Sequence, residues 1–171
     1  MQKQILLLAL LLIGIIPFPG SSKVPVKGVE AQVTNIVPVD RDALISFAKS
    51  FLGTPYHFAS SNPKKGFDCS GFVNFVFRNF KINLPRSSRE FKTMGKDLKP
   101  EEFKVGDVVV FRSFRNKARI GHVGIICEAN GMHSKFIHSA TSQKRGVVIS
   151  NLASGTYVHR FFRCIDVIES K

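Results

Sequence analysis

From Asp40 onward the apolar residues fall into two regimes. Ala43, Leu44, Phe47, Ala48, Phe51 and Leu52 recur at three- and four-residue spacing until Gly53, which predicts an amphipathic helix with Asp40 as its N-cap. Phe72, Val73, Phe75, Val76 and Phe80 predict a second helix, opened by Asp68-Cys69-Ser70-Gly71. Pro55, Pro63 and Gly66 mark residues 54–67 as a loop, and the turn Leu84-Pro85-Arg86-Ser87 precedes a short helix around residues 89–94. After Pro100 the pattern becomes β: residues 108–111, 122–127, 135–139, 147–150 and 160–167 are short β-branched or aromatic runs split by Gly and Asn. Helices first and strands second predict an α+β domain over residues 41–169, its helices packed on one side of a central antiparallel β-sheet.

The N-terminal residues follow neither pattern. Lys3 precedes an aliphatic run from Ile5 to Ile16 that Pro17 and Pro19 end, the layout of a secretory signal over residues 1–22. A retained membrane anchor is the alternative, for which the run is short against the roughly 20 apolar residues that a span needs. Residues 23–40 read as an extended lead-in. Export to the periplasm or the medium is expected, and a lipoprotein is not, because the first cysteine is Cys69.

Composition adds two constraints. The 171 residues, 44% hydrophobic, suffice for one core. A net charge of +13 favours polyanions. For an exported protein those are anionic lipid surfaces, wall polymers and peptide carboxylates, and nucleic acid is not expected as a partner. Nothing in the pattern calls for an oligomer, so a monomer is expected.

The chemistry centres on Cys69. A thiol is a useful nucleophile as thiolate, and a helix N-terminus with a nearby imidazolium lowers its pKa. Cys69 opens the second helix, and His122, on an apolar strand, is the candidate base. A base needs a third group to orient it. A hairpin centred on Asn130 sets His138 directly opposite His122, where cross-strand neighbours lie about 5 Å apart on one face. Zinc held by Cys69, His122, His138 and Asp68 is the competing reading, but no CxxC or HxxxH spacing supports it, so no metal or other cofactor is expected. His57, His133 and His159 are assigned to the surface or to packing. Cys127 and Cys164, each in an apolar strand, read as small buried hydrophobes.

Several segments, Gly53-Thr54-Pro55-Tyr56, Gly66-Phe67-Asp68-Cys69-Ser70-Gly71-Phe72-Val73, Leu84-Pro85-Arg86-Ser87, Gly106-Asp107, His122-Val123-Gly124-Ile125 and Phe136-Ile137-His138-Ser139-Ala140, together resemble the NlpC and p60 family of bacterial cell-wall peptidases, over residues 41–167. The resemblance implies a papain-like fold and hydrolysis of the γ-D-glutamyl to diamino-acid bond of peptidoglycan stems, the diamino acid being diaminopimelate or lysine. It also implies a Cys69–His122–His138 triad, with Tyr56, Asp68, Ser70, Arg86 and Ser87 in substrate binding. The chain departs from the family where a Gly-Gly pair usually follows the tyrosine segment: here Phe58 is followed by Ala59-Ser60-Ser61, and the distance from Tyr56 to Cys69 is one residue longer. The competing functions are a papain-like acyltransferase or amidase acting on another amide, and a basic wall-binding protein without turnover.

Overall fold

The computed structural model describes residues 39–141 and 146–169. The signal expected over residues 1–22, and the lead-in up to residue 38, lie outside them. Helix α1 (Arg41–Lys49) starts where the Asp40 carboxylate accepts the N–H groups of Asp42 and Ala43 at 2.9 and 3.0 Å. Two of the N–H groups that a helix start leaves unpaired are thereby satisfied. The buried face of α1 is Leu44, Ile45 and Ala48, while Ala43 points outward. Leu52, expected on the apolar stripe, falls past the helix end and stays exposed.

Between the helices, the residues expected as a loop contain a small hairpin, β1 (Ser61–Asn62) with β2 (Gly66–Phe67). It leads directly into α2 (Cys69–Asn79), which buries Phe72, Val73, Val76 and Phe77. Phenylalanine carries the packing here. Phe75 of α2 lies 5.9 Å from Phe47 of α1 and 5.2 Å from Phe51 between ring centroids, and Phe67 lies 5.1 Å from Phe75. Aromatic pairs at such distances add about 0.5–1.5 kcal/mol each beyond the area they bury.

The short helix expected over 89–94 is a 3-10 segment, Ser88–Lys92, capped by Ser87. The strands that follow are β3 (Lys96–Leu98), β4 (Val108–Arg112), β5 (Ile120–Glu128), β6 (Lys135–Ala140) and β7 (Gly146–Asn151). One helical turn, α3 (Gly155–Val158), then precedes β8 (Phe161–Asp166). They form a six-stranded antiparallel sheet in the order β3-β8-β4-β5-β6-β7. The fold is α+β, as the order of patterns predicts.

Alternation along the strands divides the core in two. Val108, Val110, Val123, Ile125 and Ile137 join the helices in the larger cluster. Val109, Phe111, Ile126, Phe136 and Cys164 form a second cluster with Phe103 and Leu152. Cys127 and Cys164 are both buried and, like Cys69, carry no disulfide. Arg41 fastens α1 to the sheet: its guanidinium donates to Asp107 at 2.8 Å, to the Val105 carbonyl at 2.9 Å and to Asp166 at 3.1 Å.

Candidate active site

Asp68 sets the position of Cys69. As N-cap of α2 it accepts the Gly71 N–H at 2.6 Å, which fixes Cys69 as the first helical residue. A side chain at Gly71 would run into the Ser60 carbonyl, so the close approach of the β1 segment to the first turn of α2 requires glycine there. One residue before Asp68, the Phe67 carbonyl accepts the Ser139 hydroxyl of β6 at 2.7 Å. The helix start is thus tied to the strand residue next to His138.

His122 and His138 meet: His122 Nε2 lies 2.8 Å from His138 Nδ1, with the ring planes nearly perpendicular. They are not directly opposed, as a hairpin centred on Asn130 would have them. The β5–β6 ladder pairs Ile126 with Phe136 and Ile125 with Ile137, and one further step sets Gly124 opposite His138. The reason is local. The chain turns at Gly131, which has a φ of +51°, the Ser134 hydroxyl bonds both the Asn130 N–H and the Gly131 carbonyl, and the register shifts between Ile126 and Glu128. A shift of two positions preserves the face, so the imidazoles meet diagonally.

Strand β7 completes the line. The Ser150 hydroxyl lies 2.9 Å from His138 Nε2, and the Tyr157 hydroxyl 3.4 Å from the same nitrogen. Phe136 stacks on His138 at 4.6 Å, and Phe111 flanks His122 at 5.8 Å. Ser150 and Tyr157 were not legible in the sequence, since nothing in the run 147–150 separates a serine that reaches an imidazole from one that faces solvent.

Burial governs the titration. It holds His138 down to about 3 and His122 well below the ordinary value, with His138 and Arg160 contributing to the depression at His122. The Cys69 thiol is pushed up, first by burial and then by Asp68, against hydrogen bonds from the backbone N–H groups of Val123, Ser70 and Cys69 itself. At Cys69 desolvation outweighs the lowering effect of the helix N–H groups.

Cys69 lies between two cavities. One, of about 450 Å³, is lined by Tyr56, Asp68, Ser70, Arg86 and Ser87 among others. All five residues assigned to substrate binding thus face one space. A bridge to Phe67 sets Tyr56 there, and burial, with the nearby Asp68 carboxylate, pushes its phenol up to about 12, so it is a hydrogen-bond donor at neutral pH. Arg86 grips Asp68 through two hydrogen bonds, 2.9 and 2.7 Å. The Asp68 carboxylate is consequently engaged by both a cap and a salt bridge. The other cavity, of about 150 Å³, has His122, Tyr157 and Arg160 in its wall. His57, His133 and His159 are exposed.

A sulfur at a helix start and two linked imidazoles, beside an open cavity, can perform nucleophilic attack on a carbonyl with proton transfer through imidazole. The model of the NlpC/P60 family matches residues 53–166. A γ-DL-glutamyl hydrolase of Bacillus subtilis is 29% identical over 164 residues, covering 91% of this chain and 35% of that protein. A murein DD-endopeptidase/LD-carboxypeptidase, MepS, of Escherichia coli K12 is 38% identical over 110 residues, covering 64% of this chain and 53% of that protein. The crystal structure of an NlpC/P60 family protein from Bacillus cereus superposes with a TM-score of 0.68 at 28% identity, covering 77% of this chain and 41% of that one. The chain therefore spans about a third to a half of the length of these relatives.

Proposed function

The chain belongs to the NlpC/P60 family, and from that membership and the geometry around Cys69 we propose that it is a cysteine peptidase of peptidoglycan stem peptides, cutting the γ-D-glutamyl bond to the diamino acid. The observation that carries the reading is the contact of His122 Nε2 with His138 Nδ1 beside the Cys69 cavity. With Nε2 engaged, Nδ1 is the nitrogen left to serve the thiol. Relatives suggest the bond: one is a γ-DL-glutamyl hydrolase, and another, from Bacillus cereus, is a γ-D-glutamyl-L-lysine dipeptidyl-peptidase.

In this mechanism Ser150 accepts from His138 Nε2–H, His138 Nδ1 accepts from His122 Nε2–H, and His122 Nδ1 carries the lone pair that takes the Cys69 proton. That transfer accompanies attack on the carbonyl. The N–H groups at the start of α2 and the protonated Tyr56 hydroxyl receive the oxyanion. The imidazolium then protonates the leaving amine, and water resolves the acyl-enzyme. In the larger cavity Tyr56, Asp68, Ser70, Arg86 and Ser87 bind the acyl half of the substrate. The site of action is the wall, outside the membrane, in accord with a signal over residues 1–22.

The test is digestion of purified stem peptides by the protein and by Cys69→Ala, with mass spectrometry of the products. A new γ-D-glutamyl carboxylate that requires Cys69 is expected. Undiminished hydrolysis by Cys69→Ala overturns the proposal. A new amide or ester in place of the carboxylate replaces hydrolysis by acyl transfer, and wall binding with no cut peptide replaces the peptidase by a binding protein.

A further inference from the structure

The two cavities that meet at Cys69 differ in a way that the acyl-binding residues do not use. Breaking an amide needs a proton on the departing nitrogen, and in this site the proton donor is the imidazolium of His122. The leaving residue therefore sits on the His122 side of the sulfur. That side is the 150 Å³ cavity, whose wall contains Cys69, His122 and Arg160 and to which Thr141 and Thr156 add hydroxyls.

Arg160 is held for a purpose that the proton relay does not require. Its Nε donates to the Arg112 carbonyl at 2.8 Å, and its guanidinium lies 3.6 Å from the centroid of Phe114, so one edge is tethered and one face covered. No carboxylate pairs with it among the described residues, whereas Arg41, Arg86 and Arg163 are each salt-bridged. Its Nη1 and Nη2 make no hydrogen bond among the described residues. A third cavity, of about 400 Å³, continues past Arg160 between Arg112, Lys117 and His159, again without an acidic residue in its wall. A half-buried planar cation with a free fork beside the leaving group is suited to a carboxylate, which it can take bidentately.

We propose that Arg160 is a specificity residue for the leaving half of the substrate, binding a free carboxylate on the residue whose amine is released. The carboxylate comes either from the main chain of that residue, as at the end of a trimmed stem, or from its side chain, as in diaminopimelate. This rests on the peptidase reading above.

Three synthetic substrates separate the possibilities: L-Ala-γ-D-Glu-L-Lys with a free terminus, the same peptide as its carboxamide, and the diaminopimelate peptide with its main-chain carboxyl amidated and its side-chain carboxyl free. The measurement is kcat/KM for the unmodified protein, Arg160→Gln and Arg160→Lys, with thermal unfolding as the control for folding. A charge-assisted hydrogen bond contributes enough for a preference of about tenfold to a hundredfold for a carboxylate substrate over the lysine carboxamide. That ratio is expected to fall to about one in Arg160→Gln and to survive in part in Arg160→Lys. Preference for the first peptide places the carboxylate on the main chain, and preference for the third places it on the side chain. Equal kcat/KM for all three in the unmodified protein overturns the inference, as does a ratio that persists in Arg160→Gln while all rates drop together, which would make Arg160 a thiolate stabiliser. If none of the three is cut, the peptidase reading itself has failed, and this inference with it.

Discussion

The Ser150 hydroxyl and His138 Nε2 lie 2.9 Å apart, and the proposed proton relay requires the hydroxyl to be the acceptor in this contact. With the hydroxyl accepting from Nε2–H, Nδ1 is left as an acceptor for His122. The reverse tautomer would put a proton on His138 Nδ1, turn His122 Nε2 into an acceptor, and place a proton on the His122 nitrogen that must serve Cys69. Ser150→Ala removes the lock at the cost of one hydrogen bond, about 0.5–1.5 kcal/mol, or roughly a three- to tenfold fall in kcat with KM unchanged. Ser150→Thr should restore most of it. Nitrogen chemical shifts of His138 are the decisive readout: an unchanged tautomer in Ser150→Ala would refute the role.

Gly124 makes the imidazole contact sterically possible. It faces His138 across β5 and β6, and a methyl group there would come within 2.6 Å of the Phe136 ring and 3.1 Å of the His138 Cβ. Neither neighbour can retreat, since Phe136 is fully buried and stacked on His138. Overpacking of this kind typically costs about 1–3 kcal/mol. Gly124→Ala should therefore lower the urea midpoint and weaken catalysis by more than its stability loss explains, through displacement of His138. Wild-type stability and kcat in this variant would disprove the packing argument.

The pH dependence of stability follows from the same burial. His138 is held down to about 3 in the folded protein, against an ordinary value of 6.5 in the unfolded chain. Between those values the unfolded chain binds a proton that the folded protein refuses, so stability is complete above about 6.5 and declines as the pH falls toward 3. The slope from one such group is at most about 1.4 kcal/mol per pH unit. Urea unfolding at pH 7.5 and 5.5 should give a lower midpoint at 5.5, and His138→Gln should reduce the difference, leaving the part that buried His122 contributes. A difference that is the same in His138→Gln would assign the acid sensitivity to other groups.

Much of this site is legible in the sequence because its logic is local. Asp68 as cap and Cys69 as first helical residue need only the helix pattern, and the shared face of His122 and His138 needs only strand alternation. Register is harder: the bulge between Ile126 and Glu128 and the turn at Gly131 shift the pairing by two positions without disturbing alternation. Strand β3, with Lys96 and Asp97 exposed at the sheet edge, has no apolar run to announce it. Residues such as Ser150 and Arg160 act through tertiary distance alone, and the rise in the Cys69 pKa depends on desolvation that no local pattern reports.

Ala59, in the wall of the larger cavity, carries backbone strain. Ala59 has a φ of +57°, left-handed backbone that costs a non-glycine residue about 1–2 kcal/mol. It lines the larger cavity next to Phe58, which is 80% exposed at the same wall. Replacing Ala59 by glycine relieves the strain but frees the unfolded chain, a loss of about 0.4–1 kcal/mol. The balance leaves Ala59→Gly more stable, by up to about 1.6 kcal/mol. Ala59→Val, whose branched side chain tolerates this conformation less, should be less stable than the parent. Chemical denaturation of the two variants checks both signs. A destabilised glycine variant would mean that the conformation at residue 59 is held without strain.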